Sequence, residues 1–141
     1  MTRLLFSLFV ISFLCLFAAG CNSGTGVKGK VTFDDGTPLT VGTVLFETET
    51  EQMIGAIQKD GTYWMSPDGK KVGIPNGTYR VAISGAVEPT GEFDPDRGGR
   101  QIMRPLIDEK FITPSTSGLT CEVNGARTFD ITVTRPGTAA Q

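Results

Sequence analysis

Five dipeptides punctuate the chain beyond residue 30: Asp35-Gly36, Asp60-Gly61, Asp68-Gly69, Asn76-Gly77 and Asn124-Gly125. Each joins an Asx residue that tolerates a left-handed backbone to a glycine that adopts positive φ without steric cost, which is what a tight two-residue turn needs. Long helices cannot run through such breaks. The segments between them alternate with period two, the signature of a strand buried on one face. Val27, Gly29, Val31 and Phe33 face one way and Lys28, Lys30, Thr32 and Asp34 the other. Tyr79, Val81 and Ile83 oppose Thr78, Arg80 and Ser84, and Leu119, Cys121 and Val123 oppose Thr120 and Glu122. Phe129, Ile131 and Val133 oppose Asp130, Thr132 and Thr134. Further strands are expected at Thr43–Thr48, Ile54–Gln58 and Thr62–Ser66. Seven short strands without a useful helical period predict an all-β domain over 27–135, an antiparallel two-sheet β-sandwich, with a flexible tail at 136–141.

Gly85 to Gly118 interrupts this pattern, and a loop of that length inside a compact domain calls for some local structure. A helical turn around Leu106–Phe111, anchored by Phe111, is expected to pack on the sandwich. The tip, EPTGEFDPDRGGR, reads as mobile because it is rich in Gly, Pro and charge.

The amino end is of a different character. After Arg3, the run LLFSLFVISFLCLF is apolar, then passes through Ala18, Ala19 and Gly20 to Cys21 and the uncharged NSGTG. A short apolar core ending in small residues is the form of a cleaved secretory signal, here residues 1–20. A retained anchor helix is the alternative, at the short limit for a span. Ala18-Ala19-Gly20-Cys21 resembles the bacterial lipobox. That resemblance implies that Cys21 carries diacylglycerol, that cleavage falls before it, and that residues 21–26 form a short tether on the membrane. Ordinary signal cleavage at the same bond would instead leave a free thiol.

Removal of residues 1–20 leaves 121 residues with 12 basic and 15 acidic side chains, enough for one domain with its own core. No basic block offers nucleic acid an electrostatic footprint. Cys15 leaves with the signal, so with Cys21 assigned to lipid Cys121 stands alone, an inward-facing core residue; were Cys21 not lipidated, a Cys21–Cys121 bridge would compete. The chain has no His, which removes the Ser-His-Asp and Cys-His arrangements and the commonest zinc ligand. No enzyme activity, cofactor or metal is expected.

Several side-chain groups invite a site. Glu92, Asp94 and Asp96 alternate as calcium ligands would, but Arg97 stands where the loop needs Gly and Met103 where it needs Glu. A solvated acidic loop balanced by Arg97 and Arg100 is the expected reading. Arg97, Arg100 and Arg104 could grip an anion, yet they sit in a segment expected to move. Tyr63 and Trp64 are neighbours on one strand, so one ring must leave the core, where it could be covered by a neighbour, meet a partner, or stack on a sugar. Lys28 and Lys30 lie just after the tether, and the first strand starts at most about 20 Å from the bilayer if Cys21 is the anchor. They read first as a solvated strand face and second as a contact for anionic headgroups.

The stretches GKVTFDDGTPLTVGTVLF, KDGTYWMS, IPNGTYRVAISG and IDEKFITPSTSGLTCEVNGARTFDITV resemble small bacterial lipoproteins with a carboxypeptidase regulatory-like domain. The resemblance runs through Gly29-x-Val31, Asp35-Gly36 leading to Pro38-Leu39, Gly77-x-Tyr79-x-Val81 and Thr116-Ser117-Gly118-Leu119. It departs at Thr43, where a small Ala is more usual, and in the long loop before Leu106. It implies a seven-stranded prealbumin-like (Ig-like) sandwich and no peptidase activity, since that module is an accessory beside a zinc domain. The function expected is that of a membrane-anchored envelope lipoprotein with a non-catalytic binding or structural domain that meets an envelope protein or glycan. A carbohydrate-binding module using Trp64 or Tyr63 is the alternative, and a carboxylate-dependent enzyme within Glu92–Glu109 the most remote reading.

Overall fold

The computed structural model describes residues 26–65 and 73–137. The signal, Cys21, residues 22–25 of the tether, Ser66, the Asp68-Gly69 turn and the tail beyond Gly137 lie outside them. Ten strands occur among the described residues: β1 (Val27–Phe33), β2 (Thr43–Glu47), β3 (Gln52–Ala56), β4 (Thr62–Met65), β5 (Gly77–Ser84), β6 (Val87–Asp94), β7 (Arg100–Pro105), β8 (Leu119–Val123), β9 (Arg127–Thr128) and β10 (Ile131–Val133). A 3-10 turn at Glu109–Ile112 precedes β8.

Two sheets enclose one core. The first has the order β10-β1-β4, with β9 also on β1, and the second runs β3-β2-β5-β8. Inward alternation fills the space between them: Val27, Val31, Tyr63, Met65, Ile131 and Val133 from one side meet Val44, Phe46, Tyr79, Val81, Ile83, Cys121 and Val123 from the other. Phe46 sits at the centre, its ring 5.7 Å from Tyr79 and 6.0 Å edge-on from Phe129. The domain is therefore all-β and mostly antiparallel.

Four expectations need correction. β1 pairs in parallel with β9 and β10, because the first and last strands of the domain run the same way through its first sheet. β3 lies two residues earlier than predicted, since Thr48 N donates to Glu51 O and the β2–β3 hairpin closes at Glu47 and Gln52. Asn76-Gly77 is not a positive-φ turn: Gly77 already belongs to β5, whereas Gly36, Gly61 and Gly125 do take φ of 82°, 83° and 96°. The segment expected to be strandless and mobile carries β6 and β7, a third, two-stranded sheet. The expected helical turn is present, capped by Asp108 accepting from Lys110 N at 3.0 Å, and Phe111 is buried within it.

The last strand breaks at Phe129–Asp130 in a specific way. Phe129 N donates to Lys28 O at 2.8 Å, and the Tyr63 hydroxyl donates to Phe129 O at 2.5 Å. Lys30 N donates to the Asp130 carboxylate at 2.9 Å in place of a backbone carbonyl. Gly29 lies beneath this break: a Cβ on it would come 1.9 Å from Phe129 O. Only glycine leaves room for that carbonyl. Elsewhere, the buried Ser117 hydroxyl donates to Val81 O, just where β8 has yet to begin its ladder on β5. The Tyr79 hydroxyl donates to Pro75 O at 2.9 Å and pins the entry to β5.

An Asp-Gly-Thr triplet recurs at 35–37 and 60–62, with one geometry. Asp35 accepts from Thr37 Oγ1 at 2.5 Å and Thr37 N at 2.8 Å, and Asp60 from Thr62 Oγ1 at 2.6 Å and Thr62 N at 3.0 Å. The threonine hydroxyls first, and the amides second, hold both carboxyls below the ordinary aspartate value. A carboxyl depressed in the folded state contributes stability that is present above its unfolded pKa, about 3.9, and is lost as pH falls through the lower folded value. The thermal midpoint should therefore stay level from neutral pH to about 5 and fall below about 4. Asp35→Asn with Asp60→Asn should make that fall shallower. A wild-type midpoint unchanged down to about pH 2.5 would remove the assignment.

Candidate functional site

Described carboxylates and cations that could act together chemically are dispersed by the fold. Asp94 is occupied by its own turn, accepting from Asp96 N at 3.0 Å and Arg97 N at 3.3 Å, with the Arg97 guanidinium 3.5 Å away. Glu88 pairs with Arg104, and Arg100 lies opposite Asp94 across the β6–β7 ladder. Arg97 thus belongs to the tip while Arg100 and Arg104 are four residues apart on one strand, about 13 Å, too far to clasp one small anion. Asp108 caps the 3-10 turn. Among the described residues no three His, Cys, Asp or Glu side chains meet in a group able to hold a metal. Burial pushes the Cys121 thiol above its ordinary value, as for a small core hydrophobe. An open depression of about 460 Å³ lies at the base of β7, lined by Pro105, Ile107, Asp108, Glu109, Ile112 and Pro136.

What stands out instead is the β6–β7 hairpin. Cross-strand neighbours share a face, so the register Val87–Pro105, Pro89–Met103 and Phe93–Gln101 collects an apolar stripe with a single amide. Glu88, Asp94, Arg100, Ile102 and Arg104 occupy the reverse face. Phe93 is 63% exposed and Met103 47%, the values of side chains with nothing laid over them. No other strand of the described residues pairs with the hairpin, which joins the body through Leu106 N donating to Ala86 O at 2.9 Å.

Its two outer edges differ. Along β6, Pro89 lacks an N–H, Gly91 takes φ 83° and the register slips between Pro89 and Phe93, so the edge is bent and blunted. Along β7 the Ile102 carbonyl turns toward β6, where Thr90 Oγ1 donates to it at 3.1 Å. Antiparallel alternation then directs the backbone groups of Gln101 and Met103 outward. One edge is closed and the other open.

Position along the molecule separates this hairpin from the amino end. Val123 pairs with Gly77 and Arg127 with Val27, and only three residues cross between the sheets there, so the starts of β5 and β1 share one end of the domain. β6 leaves from the far end of β5, after Gly85 at φ 66°, eight strand residues or about 26 Å away.

The aromatic pair resolves with Tyr63 inward and Trp64 outward. Tyr63 is 3% exposed and bonded to Phe129 O, and burial drives its phenol well above the ordinary value. Trp64 is 46% exposed and faces Lys28 across the β1–β4 ladder. The phase was legible: Met65, two residues from Tyr63, continues the inward face, and Thr62 shares the outer one with Trp64. The hairpin's apolar stripe gave no such signal, because Pro89, Gly91 and the alternating acids disguise its period.

No protein-family model matches this chain, and no curated protein does. Among solved structures, a DUF3823 family protein from Bacteroides ovatus is similar, at 17% identity and a TM-score of 0.47, over 79% of this chain and 45% of that one. The chain thus spans less than half of that protein's length.

Proposed function

We propose that this chain is a lipid-anchored envelope protein whose body is a non-catalytic binding module, with the β6–β7 hairpin as its contact surface for a protein partner. The seven strands anticipated from the sequence form a prealbumin-like sandwich in this reading, and the hairpin is an addition to it. Cys21 supplies the membrane anchor. The observation that carries the binding half is the stripe of half-buried Val87 and exposed Pro89, Phe93 and Met103 beside an open strand edge at Gln101 and Met103.

The partner is a protein offering an extended segment to β7, a mode in which backbone bonds give affinity and the adjoining apolar pockets give selectivity. The anchoring bilayer is disfavoured as occupant. The hairpin leaves from the end of the domain away from the tether, and its four acids and three arginines give anionic headgroups no net attraction.

A photoreactive residue in place of Phe93 should give one discrete adduct in intact envelopes, and the same residue in place of the exposed Ile54 should not. Met103→Asp should suppress the adduct without moving the thermal midpoint. An adduct of twice the protein's own mass would mean self-association, and equal labelling from both positions would remove the hairpin from the proposal. The anchor is tested separately: labelled palmitate should enter the wild type and not Cys21→Ser.

A further inference from the structure

We infer that the outer corner formed by Trp64, Lys28 and Lys30 rests on the anionic surface of the bilayer that holds Cys21; the inference rests on the lipid anchor proposed above. Three observations converge on one place. Trp64 is half exposed, and its six-membered ring lies directly over Gly26: a Cβ there would come 2.9 Å from Cζ2 and 3.2 Å from Cη2. The first described residue is thus covered by the ring. Lys28 is the cross-strand neighbour of Trp64 and Lys30 that of Thr62, so both ammonium groups stand on the ring's own face of the sheet. Two acids lie near Lys30: the Asp130 carboxylate, between β9 and β10, accepts from Lys30 N, and Asp60 is tied up by Thr62.

Chain length turns this corner toward lipid. Four residues separate Cys21 from Gly26, five steps along the chain and a reach of at most about 18 Å when fully drawn out. A tether of this length keeps the end of the domain that carries Trp64 and Lys28 within reach of the headgroups. Indole favours that layer, where its apolar body and N–H find different surroundings within one ring width. Lysines near an anionic leaflet add attraction that salt weakens. The hairpin is unaffected by this docking, since it leaves from the second sheet at the opposite end.

Trp64 is the single tryptophan of the chain, so its emission reports this corner alone. The acylated mature protein is reconstituted in phosphatidylglycerol–phosphatidylethanolamine vesicles with and without brominated acyl chains, and flotation is scored in parallel. The expected result is flotation together with quenching of Trp64 by bromine and protection from acrylamide. Replacing Lys28 and Lys30 by Ala should leave flotation intact and raise the ratio of detached to docked protein about fivefold per lysine at low salt. Protein that floats while Trp64 stays unquenched and open to acrylamide would overturn the inference and leave the anchor standing. Protein that does not float would overturn both. Emission indifferent to brominated lipid but shifted by an N-acetylglucosamine tetramer would make the corner a carbohydrate site instead, and would equally overturn it.

Discussion

Gly29→Ala should unfold this domain far more readily than the same change at Gly77. The added carbon would stand 1.9 Å from Phe129 O and 2.6 Å from Phe129 C, distances no side-chain rotation can relieve because the obstacle is backbone. Phe129 would have to lift from β1. The bonds from Phe129 N to Lys28 O and from the buried Tyr63 hydroxyl to Phe129 O would be lost together, as would the backing of Phe129 against Phe46. Overpacking usually costs about 1–3 kcal/mol, and this contact lies at or beyond the upper end. A drop in thermal midpoint of roughly 12 °C is expected for a domain this size. Gly77→Ala is the matched control. Its new Cβ would meet only Tyr79 Cε2 at 3.7 Å, and its φ is not positive, so it should change stability by no more than about 1 kcal/mol. Similar midpoints for the two variants would mean that the Phe129 carbonyl does not sit over Gly29.

Phe46→Ala should cost about 3–5 kcal/mol, the range for removing a fully buried phenyl ring. Phe46 is fully buried and touches rings from both sheets, Tyr79 on one side and Phe129 on the other. Its loss would leave a hole whose walls are strands held by their own ladders and unable to close in. Against a total stability of about 5–15 kcal/mol, one substitution would remove a large share. Phe93→Ala makes the same chemical change on the hairpin and should move stability by less than about 0.5 kcal/mol, because that ring is already in water. Denaturant titrations of the two variants test the contrast. A large loss at Phe93 would mean that its ring is covered within the monomer, and the hairpin would then have no free face to offer.

These contrasts also mark how far the amino-acid order reaches. Strands with clean alternation, such as Val27–Phe33, were legible because half of each is buried and half wet; in Gly77–Ser84 the rhythm holds only as far as Val81, after which Ala82 is buried too. The fate of their turns was not. Asp60-Gly61 and Asn124-Gly125 each have the residues of a hairpin turn, yet each carries the chain from one sheet to the other. Turn chemistry specifies a local bend, and which strand lies across it depends on partners far away in the sequence. The same limit hid the parallel run of β1 beside β9 and β10. β6 and β7 escaped notice for a different reason: both are exposed, so burial imposes no two-residue rhythm on them, and Pro89 and Gly91 imitate a loop. Of the candidate site residues, the opposed directions of Tyr63 and Trp64 followed from adjacency alone. The clustering of Trp64 with Lys28 and Gly26 required the register.

The pairing of β1 with residues 127–133 has a consequence for biogenesis. β1, the first strand to be synthesised among the described residues, cannot complete its ladder until nearly the whole polypeptide has been made. Contacts so distant along the chain make for slow folding. A nascent chain of this topology stays loose, and locks shut only once residues 127–133 are free to pair with β1.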